Sequence, residues 1–123
     1  MTVAAYTLAV VLNLFCLFLG YGFLFRPAPS AAGYGVPADP GGDAGAYLTI
    51  KGLRDGAFGL VGLALLAFAG ARAEAWFMLG VALIPLGDML IVLRHGGTKA
   101  VAFGIHFATA VVVLISAALL FAV

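Results

Sequence analysis

The sequence predicts an all-α fold, an integral membrane antiparallel four-helix bundle, on three observations. Of 123 residues, 65% are hydrophobic and only 9% charged, where a soluble domain carries about 25% charged residues. Mean hydropathy is +1.21. The apolar residues gather into four runs, each near the roughly 20 residues a helix needs to cross hydrocarbon. Val10-Val11-Leu12 and Val111-Val112-Val113-Leu114-Ile115 are continuous. Barrel strands alternate polar and apolar positions, so a β-barrel is excluded. Helices satisfy their own backbone in lipid without alternation.

The first helix is expected over about 3–25. No Lys or Arg precedes it, and the run is too long for the apolar core of a signal peptide, so it reads as a span. The second is expected over about 46–69, interrupted by Lys51, Arg54 and Asp55. The third covers about 75–93 with Asp88 inside it, and the fourth 100–123 with His106 inside it. Residues 1–123 then form a single transmembrane domain. Pro85 removes a backbone donor one turn before Asp88, so the third helix should kink there.

The connections are unequal. Residues 70–74 and 94–99 read as tight turns, which force antiparallel neighbours. The loop 26–45 carries Pro27, Pro29, Pro37 and Pro40 and many glycines, all of which interrupt helix. It is either an exposed linker or a lid over the mouth of the bundle, with Tyr34 and Val36 tucked inward. Arg26, Arg94 and Lys99 lie on one side of the membrane and Arg72 on the other. The positive-inside rule puts the long loop in the cytoplasm, in a cell inner or plasma membrane. Small residues should let helices approach: Gly20 and Gly22 on the first helix, Gly52, Gly56, Gly59 and Gly62 on the second, Gly80 and Gly87 on the third, Gly104 and Ala108 on the fourth.

Several function classes drop out. Six Lys+Arg against five Asp+Glu give a net charge of +1, with no basic stripe for a nucleic-acid backbone. The lone Cys16 makes neither a disulfide framework nor a Cys-x-x-Cys pair. No His spacing suits a metal; Asp88, His95 and His106 could only be forced together, and His95 belongs to a turn. Ser30 and Ser116 have no base beside them in the pattern. Neither a metal nor a cofactor is expected.

The informative residues are the polar ones inside the spans, because intramembrane ionisable groups are expensive and point to function by default. Up-and-down threading brings Lys51, Arg54, Asp55, Asp88 and His106 to one depth, with Asn13 deeper. Tyr47, Lys51, Arg54, Asp55 and Phe58 form a stripe along the second helix. Lys51 and Arg54 balance Asp55 and Asp88, as a buried set requires, and Arg54 is expected to contact Asp88, Asp55 or both. His106 adds an imidazole, the side chain suited to shuttling a proton.

These residues also carry a resemblance. Gly52-Leu-Arg54-Asp55 opening the second helix, Gly33-Tyr-Gly-Val-Pro before it, Asp88 late in the third helix and His106 early in the fourth resemble the small DoxX-like four-helix membrane proteins. The resemblance implies a four-helix bundle and no settled activity.

Two functional classes follow. The first is a cofactor-free isomerase, cyclase or epoxide-opening enzyme with a polar pocket in one leaflet, acting on a lipophilic small molecule. Asp88 and Asp55 would serve as acid or base and His106 as proton shuttle, while Arg54, Lys51, Tyr47 and Asn13 would bind substrate. The second is an accessory or binding subunit, or a small transporter, whose charged cluster fixes helix register. Transport through four helices would need a homo-oligomer.

Overall fold

A computed structural model describes residues 1–123 and holds five helices, with no strand: α1 (Thr2–Phe25), α2 (Pro27–Tyr34), α3 (Ala44–Ala69), α4 (Ala71–Arg94) and α5 (Lys99–Phe121). All but α2 are long and apolar enough to cross a membrane. Large apolar side chains such as Phe68, Leu83 and Phe25 stand exposed on their outer faces, as contact with a bilayer requires.

Two elements differ from the expectation. The stretch 27–34 is helical rather than loop. Pro27 and Pro29 fall in its first turn, where backbone N–H groups have no intrahelical acceptor, so prolines there sacrifice nothing. Secondly, α4 begins at Ala71, four residues before the expected start. Gly70 alone separates it from α3, at φ +90°. This shift carries Glu74 from the expected turn into the helix, where it is fully buried.

α1 and α3 form the tightest interface. A Cβ on Gly20 would stand 2.6 Å from the Gly56 nitrogen, and one on Gly59 would stand 2.6 Å from the Asn13 carbonyl oxygen. Residue numbers fall along α1 as they rise along α3, so this pair runs antiparallel. Close backbone approach is the main source of helix association in lipid. The same reading fails at Gly80, Gly87 and Gly104. Nothing lies within 4 Å of a Cβ built there, because those faces look away from the neighbouring backbones.

The buried core is small-residue packing at the end where α3 meets α4. Ala5 and Ala9 of α1 meet Leu66 of α3, Ala75 and Met78 of α4, and Ala117 and Leu120 of α5. The α2 end is organised by Gly35, at φ +107°. A Cβ there would lie 2.8 Å from Val101 Cγ1 and 3.0 Å from Val92 Cγ1. The chain leaving α2 therefore rests on the α4–α5 connection.

Three local distortions mark the spans: α3 ends in a π stretch, Leu65–Ala69, and α4 and α5 each carry one nearer the site. The regular ladder of α4 breaks at Ala82, the turn before Pro85, which has no N–H to offer the Val81 carbonyl. In α5, residues Ala102–Phe107 form a π turn, a local widening that recurs at functional sites. Its last full turn holds His106, which is buried.

Candidate functional site

Three helices, α3, α4 and α5, bring polar groups to Tyr34, the last residue of α2. The Tyr34 hydroxyl donates to Asp88 Oδ2. Its backbone carbonyl lies 2.6 Å from His106 Nε2. A carbonyl only accepts, so Nε2 carries the proton and donates, which leaves Nδ1 without a partner in the protein. The Tyr34 ring also lies against the His106 ring, at 4.3 Å between centroids, and edge-on to Phe23 at 5.5 Å. Burial first, and then the adjoining Asp88 carboxylate, push the Tyr34 phenol far above its usual range. The phenol therefore stays protonated and acts as a donor.

Lys51 completes the cluster. Its Nζ pairs with Asp55 Oδ2 at 3.0 Å. It also sits over two ring faces, 4.3 Å from the Tyr34 centroid and 4.8 Å from that of Phe23. Such placement is electrostatically favourable, since the ring faces are negative. The one ion pair in the structure is thus Lys51–Asp55, one turn apart on α3.

A cavity of about 510 Å³ opens beside these groups, within the range typical of small-molecule sites. Asp55, Asp88, His106 and Tyr34 line it, and so does Asn13. The remaining walls are mostly apolar and rich in aromatic rings, among them Phe15, Phe18, Phe58 and Phe77. It is an apolar chamber with polar groups gathered at the α2 end, rather than the polar pocket expected.

The structure gathers some expected residues and separates others. Lys51, Asp55, Asp88 and His106 come together around Tyr34. Arg54 and Tyr47 do not: both are exposed and neither lines the cavity, and Arg54 makes no ion pair with either aspartate. The reason is angular. At roughly 100° per residue, Tyr47 and Arg54 lie about 100° around α3 from the buried face that holds Asp55, Gly59 and Gly62. The i, i+4, i+7, i+8 stripe is wider than the face that turns inward.

Asn13 belongs to a second cluster as well. Its Nδ2 donates to Glu74 Oε1 at 2.7 Å, fully inside the protein. Glu74 Oε2 and the Ser116 hydroxyl are buried with no partner. Glu74 was hidden in sequence by its place in an apparent turn. The signal that could have found it is the apolar spacing of Ala71, Ala75, Met78 and Ala82, which continues the helix back past it. His95 lies exposed at the α4–α5 connection, its Nδ1 donating to the Ile91 carbonyl at 2.9 Å; it is no part of either cluster.

Residues 13–120 match the model of a protein family described as a domain of unknown function, DUF4267. The chain belongs to this family. The matched stretch contains every polar residue that lines the cavity, from Asn13 to Thr109, and also Glu74. No curated protein and no solved structure matches the chain. These comparisons link the DUF4267 chain to no DoxX-like protein, so that resemblance rests on its short motifs alone.

Proposed function

We propose that residues 1–123 form one antiparallel four-helix membrane domain, in a cell inner or plasma membrane with the 26–45 connection cytoplasmic. We infer that it works as a cofactor-free acid–base enzyme on a lipophilic small molecule, of the isomerase, cyclase or epoxide-opening type. The DoxX-like kinship suggested by the motifs belongs with this reading. The observation that carries it is the aromatic-lined cavity whose polar end holds a carboxyl group and an imidazole nitrogen, neither of them consumed by an ion pair.

The roles follow from the hydrogen bonds. Asp88, as the carboxylate, removes a proton from the bound molecule with Oδ1, while Tyr34, donating to Oδ2, holds that carboxylate in place. His106 Nδ1 takes the proton from Asp88 and delivers it at a second position, so the site ends with no net change in protons. The surrounding rings favour the positive charge that develops between these steps. Lys51 and Asp55 form a neutral pair that anchors Tyr34. Asn13 offers its remaining amide groups to the ligand. A binding subunit without turnover is the second reading, favoured by the engagement of Asp55 and Asp88 with partners of their own.

The test is mass spectrometry of lipophilic molecules that co-purify with the full chain, with Asp88→Asn, and with Ile84→Trp, which fills the cavity. The enzyme reading expects one lipophile in two interconvertible forms on the native chain. Asp88→Asn should retain one form, and Ile84→Trp neither. One unchanged molecule on both native and Asp88→Asn protein would establish the binding subunit. Retention of bulk phospholipid alone by all three would refute both.

A further inference from the structure

The cavity continues outward. A shallower groove of about 310 Å³ runs along the outer face of α5 over Gly104, Ala108 and Val112. It shares Leu12 and Phe15 of α1, and Ile105 and Thr109 of α5, with the inner chamber. These four residues are the rim between the two spaces. α1 is held against α3 by backbone contact through Gly20 and Gly59, and that leaning leaves the α1–α5 seam open. Gly104 is small, yet nothing packs into the space it leaves. At the α2 end the chamber has a second margin, lined by the exposed Arg26, Pro29 and Gly33, polar rather than apolar at Arg26.

Resting on the reading of the cavity as a lipophile site, we propose that the α1–α5 seam is a lateral portal for a single-chain lipophile. Its neutral, oxygen-bearing head reaches Tyr34, Asp88 and His106, and its chain lies in the groove over Gly104 and Ala108. A neutral head is required by the charges present. The Lys51 ammonium is taken by Asp55 and does not line the cavity, and the basic side chain that does, Arg26, is exposed at the rim. An anionic head passing through hydrocarbon would be strongly disfavoured and would meet two carboxyl groups inside. A chain-like body is required by the shape, a chamber between two helices that continues as a groove along one of them.

Photolabelling tests this with the full chain in phosphatidylcholine vesicles. The probe is a long-chain methyl ketone carrying a diazirine on its chain. Labelling is expected on Leu12, Phe15, Ile105 and Thr109, saturable and displaced by unlabelled ketone. Gly104→Trp leaves the polar cluster untouched and should cut that labelling about tenfold, equal to 1.4 kcal/mol of binding. Ala108→Phe serves the same purpose should the tryptophan prevent insertion. Unsaturable labelling spread equally over Phe68 and Trp76 would overturn the portal. So would unchanged labelling in a folded groove-filled variant. Equal labelling by the matching fatty acid would overturn the neutral head. Asp88→Asn separates the two readings: it should abolish turnover yet leave the labelling in place, whereas failure of the portal removes the labelling whatever residue 88 is.

Discussion

At the α2 end, Asp55 and Asp88 each have a partner, Lys51 and Tyr34, and both border open space. At the other end, Glu74 is enclosed on all sides, with one oxygen held by Asn13 and the other unpaired. Both ends bury carboxyl groups among apolar helices, yet the packing around them is opposite. A carboxyl group beside a cavity can be altered without disturbing a neighbour's fit. One wedged among Ala75, Met78 and Asn13 cannot. The difference separates a place where chemistry can occur from a place where the fold is fixed.

The largest expected effect breaks the α2 end chemically. Asp88→Asn keeps shape and the Tyr34 contact but removes the group that transfers the proton, so turnover should fall by about 10²–10⁴, the usual share of a general acid or base. Thermal unfolding in detergent should be almost unchanged. A matching loss of stability would make Asp88 a strut like Glu74.

Next comes the close-packed end. Gly59→Ala places a methyl group against the Asn13 carbonyl oxygen, and overpacking of this kind costs about 1–3 kcal/mol. Chemical denaturation should register that loss, while Gly80→Ala, with nothing near its Cβ, should be neutral or stabilising. Equal effects would erase the contrast between the α1–α3 interface and the rest.

Glu74 sharpens the comparison further. Glu74→Ala strands the Asn13 amide donor, and an unsatisfied buried donor costs about 1–3 kcal/mol. Glu74→Gln retains an acceptor and should recover most of the loss. If the two variants unfold alike, the Asn13 contact contributes nothing.

The smallest effect is at Tyr34. Tyr34→Phe removes one hydrogen bond, worth about 0.5–1.5 kcal/mol. The sign of its pH dependence is set by burial: the folded protein holds the phenolic proton more tightly than the unfolded chain. Its contribution is therefore intact below the ordinary phenol range near about pH 10 and declines as pH rises beyond it. An alkaline unfolding series should be steeper for the native chain than for Tyr34→Phe.

Much of this was legible in the residues. Four apolar runs announce four spans, and Asp55, Asp88 and His106 announce themselves because charge is so scarce around them. Gly59 and Gly62 were readable as a close-approach surface. Other features depend on angles that no spacing rule resolves. Arg54 satisfies the stripe yet lies on its outer edge, since a helical stripe of that width covers more arc than one neighbour can bury. α2 was obscured by prolines, whose effect reverses between the first turn of a helix and its interior. Glu74 was obscured by a turn that collapsed to Gly70 alone. The inward turn of Tyr34 was one of two readings of the connection, the lid, but its partners Asp88 and His106 depend on the path of the chain, which local sequence does not encode.

The π turn at Ala102–Phe107 carries a consequence for how this protein tolerates change in length. Such a turn is an α-helix with one residue too many. Deleting Gly104 would restore ordinary winding and rotate the start of α5 by roughly 100° relative to its remainder. Val101 at Gly35 and His106 at the Tyr34 carbonyl could then no longer both meet the end of α2. The chain can therefore absorb a lost residue in the exposed stretch 37–43, but not in this one turn, where the count of residues is itself what aims His106.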